Sequence, residues 1–144
     1  MVRQNGAANK IVTHYARMWP REVLYLKDER LLEQVKKALA HPGVYILYWD
    51  DQPYYIGQAV KKGLYHRIRS HGTKSNRSYY NFWNFFSAFV VPDKNHIAEV
   101  EAVLIASGRT VNRAVPKINP IRLPPGVSKL LSKRWEIAEE PSAQ

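Results

Sequence analysis

The chain contains no cysteine, which excludes disulfide frameworks, thiolate zinc sites and thiol nucleophiles together. Long hydrophobic runs are missing too: none approaches the ~20 residues of a membrane-spanning helix. The opening Met1-Val2-Arg3-Gln4-Asn5-Gly6 lacks the apolar core of a signal peptide. A soluble, cytoplasmic protein with no membrane partner is expected. Acid is scarce over most of the chain. From Gln52 to Trp135 fourteen Lys and Arg face only Asp93, Glu99 and Glu101, whereas residues 1–51 are nearly balanced. What is present in quantity is apolar and aromatic: 45% of the 144 residues are hydrophobic, with nine Tyr and four Trp, so one domain can bury a core. The net charge of +10, interleaved with Tyr65, Tyr79, Tyr80, Phe82, Trp83, Phe85 and Phe86, suits phosphate neutralisation beside flat stacking surfaces.

Residues 1 to about 20 have no clean period and read as an extended or poorly ordered arm. Asp28 precedes Leu31, Leu32, Val35, Ala38 and Leu39, a helical stripe that stops at His41-Pro42-Gly43. Val44 to Trp49, the turn-forming Asp50-Asp51-Gln52-Pro53 and Tyr54-Tyr55-Ile56-Gly57 read as a β-hairpin. A short helix follows from Leu64 to about His71, which Gly72 should end. Phe82–Val91 reads as a third strand, and Asp93 should cap a helix from about Lys94 to Ser107. The prolines at 116, 120, 124 and 125 oppose regular structure, and Leu130, Leu131 and Trp135 mark a last basic helix. No internal repeat or low-complexity tract is present.

Four local features carry chemistry. Tyr45 and Tyr55 lie on the two arms of the hairpin. A turn that sets Tyr48 opposite Gln52 opposes the two rings on one face, while a two-residue Asp50-Asp51 turn sends them to opposite faces. Such a pair can also serve the hairpin alone. Arg67 and His71, one helical turn apart, flank the apolar side marked by Leu64 and Ile68, where the guanidinium can meet a phosphate and the imidazole can relay a proton; an exposed pair on a basic helix is the alternative. Glu101, with Ile97, Leu104 and Ile105 at helical spacing, falls in the apolar stripe, and Glu99 lies nearly opposite. A carboxylate there needs a cation, either Mg²⁺ with its waters or an arginine such as Arg67 or Arg113. Asn112, beyond the Gly108 stop, is by itself a turn residue.

The ordered set Gly43-Val44-Tyr45, Tyr55-Ile56-Gly57-Gln58-Ala59, Leu64-x-x-Arg67-Ile68-x-x-His71, Glu101-Ala102-x-Leu104-Ile105 and Asn112 resembles the GIY-YIG nuclease superfamily over residues 43 to about 113. The resemblance implies an α/β (α+β) fold, a small three-stranded mixed or antiparallel sheet flanked by helices. Within a single domain the resemblance marks a catalytic core (43–113); the N-terminal arm and helix (1–42) and the Pro-rich segment with a basic helix expected to pack on the core (114–144) carry no family assignment. The resemblance implies hydrolysis of DNA phosphodiesters with one divalent ion, Mg²⁺ or Mn²⁺. Glu101 would be the metal ligand, Arg67 the contact to the scissile phosphate and Tyr45 the base or water positioner. Tyr55 and His71 would assist, with Asn112 holding the site together. Gln58 departs from the family pattern, where Lys is frequent. Lys61, Lys62, Arg69, Lys74 and Arg77 are expected to line the DNA channel. Lacking a large insertion for base readout, such an enzyme would select DNA structure, act as a homodimer or be targeted by a partner. The alternative is an inactive nucleic-acid-binding module on the same scaffold; a purely structural basic protein, for instance one associated with ribosomal RNA, is a third reading.

Overall fold

A computed structural model describes residues 10–73 and 82–108, together with positions 115, 118–119, 122 and 125–127. Its sheet has four strands: β1 (His14–Pro20), β2 (Gly43–Trp49), β3 (Gln52–Ala59) and β4 (Phe85–Val90), all antiparallel in the order β1-β4-β2-β3. The chain is α+β as expected, but with one strand more. The addition is β1, drawn from the stretch read as an N-terminal arm. Its pattern escapes notice because the ladder with β4 shifts between Ala16 and Trp19, where Met18 takes a φ of 52°. Such a bulge breaks the two-residue alternation by which a strand is recognised.

Asp28 caps α1 (Glu29–Ala38), its carboxylate accepting from the backbone N–H groups of Arg30 and Leu31. Helix α2 spans Leu64–Thr73. It passes through Gly72 instead of stopping there. A Cβ at that position would collide with the Tyr25 hydroxyl and lie 2.7 Å from an Arg21 guanidinium nitrogen, so the glycine admits the 3-10 turn Arg21–Tyr25 against the helix. After β4, Asp93 accepts from the Asn95 N–H and starts the 3-10 turn Lys94–His96, which leads into α3 (Ile97–Ala106). The basic helix expected around Leu130, Leu131 and Trp135 lies outside the described residues.

Strand β2 is central and buried from Gly43 to Leu47, which is why Val44-Tyr45-Ile46-Leu47 is apolar without alternating. Odd positions Tyr45 and Leu47 join Leu24, Leu39, Leu64, Tyr65, Ile68, Trp83 and Phe86 in a core under α2. Even positions Val44 and Ile46 join Ile56, Val91, Ile97 and Ile105 in a second core under α3. The sheet is thus covered on both faces, and β3 forms one edge of it.

Candidate active site

The hairpin register brings the tyrosines together by a route the sequence did not offer. Asp50-Asp51 forms a two-residue turn, with Trp49 opposite Gln52 and Tyr48 opposite Pro53. Left uninterrupted, that register would separate the rings. The ladder then shifts by one residue, so that Leu47 faces Tyr55 and Tyr45 faces Gly57. The bulge restores parity: Tyr45 and Tyr55 are diagonal neighbours on one face rather than direct partners, with ring centroids 6.3 Å apart and planes at 22°.

Gly57 gives the Tyr45 ring its path. A Cβ built there would lie 2.5 Å from the Tyr45 hydroxyl oxygen and 2.7 Å from Cζ. The ring therefore crosses β3 where that strand has no side chain, and its hydroxyl reaches toward the sheet edge. His71 meets it there. The Tyr45 hydroxyl and His71 Nε2 are 2.7 Å apart, and the His71 ring packs 5.5 Å from Tyr45 and 4.7 Å from Tyr55.

Tyr45 is fully buried, and burial drives its pKa well above the ordinary tyrosine value. The neighbouring Tyr55 adds to the rise, and Glu101 adds a smaller amount through its charge. The Arg67 guanidinium acts the other way, by charge and by a side-chain hydrogen bond. The phenol is thereby held neutral. It can donate to or accept from neighbours, but it does not stand as a phenolate near neutral pH.

Glu101 approaches from the other side of the sheet. On α3, Ile97, Ala102 and Ile105 are buried, Glu101 is half-buried and Glu99 is exposed, as the stripe predicts. Gln58, which shares its strand face with Ile56, donates from Nε2 to Glu101 Oε1 at 2.7 Å. The site therefore wraps around the edge of β3. Tyr45, Tyr55, Arg67 and His71 come from the α2 face, Glu101 and Gln58 come from the α3 face, and Gly57 lies between them.

Gln58 is the residue that the sequence pattern marks only as a departure from a frequent Lys. Its signal was strand parity: an amide two residues from Ile56 on a face covered by a helix needs a polar partner. Lys61 and Lys62 are exposed in the link from β3 to α2. Arg69 is exposed as well, with its guanidinium 5.0 Å from the Tyr25 ring centroid, on a side of α2 away from His71. Asn112, Lys74 and Arg77 lie outside the described residues.

Among the described residues no group of three or more His, Cys, Asp or Glu could hold a metal ion. A single carboxylate fixed by an amide suits a hard divalent ion that keeps most of its waters and shares substrate phosphate oxygens. No described helix is long and apolar enough to cross a membrane. A family model described as the GIY-YIG catalytic domain matches residues 41–114. No curated protein and no solved structure matches the chain.

Proposed function

The chain belongs to the GIY-YIG family of nucleases, and on that footing we propose that it is a divalent-metal-dependent endonuclease that hydrolyses DNA phosphodiesters. The observation that supports the reading most is the clustering of Tyr45, Tyr55, Arg67 and His71 beside β3, with Glu101, bonded to Gln58 of the same strand, near enough for its charge to act on Tyr45.

In this reading Glu101, oriented by Gln58, holds the divalent ion, which when bound supplies Lewis-acid stabilisation to the scissile phosphate and the leaving oxygen. Arg67, exposed beside the buried tyrosine, grips a non-bridging phosphate oxygen and shares the charge that builds there. Once Arg67 swings from the Tyr45 hydroxyl onto the phosphate and uncovers it, the neutral hydroxyl accepts a proton from the attacking water while its own proton passes to His71 Nε2. The oxygen of that water bonds to phosphorus, the P–O3′ bond breaks, and the 3′ oxygen leaves with the electron pair and takes a proton from solvent. His71 later returns its proton through Tyr45. Because burial keeps the phenolate inaccessible, the imidazole is the base and the phenol its conductor. Tyr55 packs on His71 and limits its ring orientation. Lys61, Lys62 and Arg69 carry the flanking phosphates, and the Lys74, Arg77 and Asn112 assignments belong to the same proposal. The charge of these groups fixes affinity without reading sequence.

Supercoiled plasmid and branched DNA incubated with wild type and Glu101→Ala, with and without Mg²⁺ or Mn²⁺, test the reading. Metal-dependent nicking by wild type should fall by about 100-fold or more in the variant. Equal traces from the two proteins would leave only a binding module on this scaffold.

A further inference from the structure

Helix α2 presents two flanks. At about 100° per residue, His71, Arg67, Ser70, His66 and Arg69 follow one another around its surface, leading from the candidate active site to the opposite side. There α2, α1, the 3-10 turn and Lys62 near the end of the β3–α2 link enclose a groove of about 630 Å³. Its apolar wall is Leu24, Leu26 and Leu32, and Tyr65 closes the floor, tied in place by its hydroxyl donating to the Leu24 carbonyl at 2.9 Å. Tyr25, 37% exposed, supplies a second ring.

Around these flat surfaces stand Lys36, Lys62, His66 and Arg69, and among the described residues no acid lines the groove. Arg69 lies 5.0 Å from the Tyr25 ring centroid and Lys36 Nζ lies 5.8 Å from that of Tyr65. Lys36 also has Glu33 at 3.5 Å, an exposed pair of the kind that contributes little and exchanges readily. Rings and an apolar wall inside a cationic rim suit a ligand that is flat and uncharged at one end and anionic at the other. Within duplex DNA the base faces are stacked on each other and present nothing to such a wall. An unpaired nucleotide presents both parts.

We propose that the groove takes an unpaired nucleotide of the DNA strand that crosses α2, with its base against Tyr25, Leu26 and Leu32 and its phosphate at Lys36, Lys62 and Arg69. This rests on the nuclease reading for the identity of the strand, and it narrows the substrate to DNA with a single-stranded segment beside the cleavage point. Six of the lining residues, Leu24, Tyr25, Leu26, Leu32, Lys36 and Ala40, precede the stretch that matches the family, so the groove belongs in large part to this chain's own N-terminal elements.

The test is fluorescence anisotropy with Glu101→Gln protein in chelator, where no strand is cut, using an oligothymidylate of about ten nucleotides against a blunt duplex. Ala40 lines the groove and is exposed, so Ala40→Glu places bulk and negative charge there without removing a contact. It should weaken oligothymidylate binding about tenfold and duplex binding less than about twofold. Tyr25→Ala should act in the same direction, and a thermal melt identifies any loss caused by unfolding. Lys36→Ala should lower the salt slope for the single strand by about 0.7. Unchanged oligothymidylate affinity in Ala40→Glu overturns the proposal, as does an equal loss for the duplex or competition by an acidic peptide at the same concentration. These measurements need no cleavage, so an absence of nuclease activity would remove the catalytic reading and leave the binding result to stand or fall separately.

Discussion

Tyr45 has two properties that conflict in a simple base. It is buried, which raises its pKa, and its hydroxyl sits 2.7 Å from His71 Nε2. The conflict disappears if the phenol never ionises and only passes a proton. It also has a consequence for stability. An unfolded tyrosine titrates near pH 10, while folded Tyr45 stays protonated beyond that pH. The folded state therefore binds the extra proton above pH 10, and stability present below that value declines as pH rises. Urea unfolding from pH about 9 to about 11 should show a decline that is shallower in Tyr45→Phe, by up to about 1.4 kcal/mol per pH unit. Parallel profiles would mean that Tyr45 ionises freely in the fold. Glu101 and Arg67 were legible from helical spacing alone, because the positions beside an apolar stripe follow from 3.6 residues per turn. Gln58 was not, because what an amide bonds depends on which helix covers its strand face.

At the level of the element, the hairpin decides whether the site exists. A two-residue turn followed by a bulge returns the chain to the parity that places both tyrosines on one face. The pattern of apolar residues could not reveal this, since Val44 to Leu47 is buried on both faces and carries no alternation from which to read a register. Gly57 is the second requirement of this element. Gly57→Ala would drive a methyl group into the fully buried Tyr45, with Tyr55 Cε1 3.0 Å away on the other side. The Tyr45 ring, fully buried, has no space to retreat. The substitution should cost about 1–3 kcal/mol in a denaturant melt, within the range for overpacked cores, and should displace the hydroxyl from His71. A variant as stable and as active as wild type would show that the ring does not cross β3 at this point. The helices were more legible: Asp28 and Asp93 cap where a short acidic side chain before an apolar stripe says they should, and only the role of Gly72 as a stop gave way to its role as a contact.

For the whole molecule, the family match begins at residue 41, yet the fold it describes leans on earlier residues. Strand β1 covers the side of β4 away from β2, Leu24 and Leu39 are buried in the α2-side core, and α1 with the 3-10 turn forms one wall of the proposed nucleotide groove. A chain begun at residue 41 leaves β4 as an unpaired apolar edge and exposes Leu64, Tyr65 and Ile68. It should lose cooperative thermal melting or aggregate, and circular dichroism with light scattering checks this. A soluble, sharply melting fragment would show that the N-terminal elements are accessory. The sequence by itself determined the helices, the hairpin, the basic character of the middle segment and the stripe that carries Glu101, because composition, capping and periodicity are local. Only the tertiary structure decided that β1 joins the sheet, that a bulge sets the two tyrosines together, and that Glu101 bonds Gln58 on the opposite face of β3. Those outcomes depend on pairing between segments distant in the chain, which no local pattern encodes.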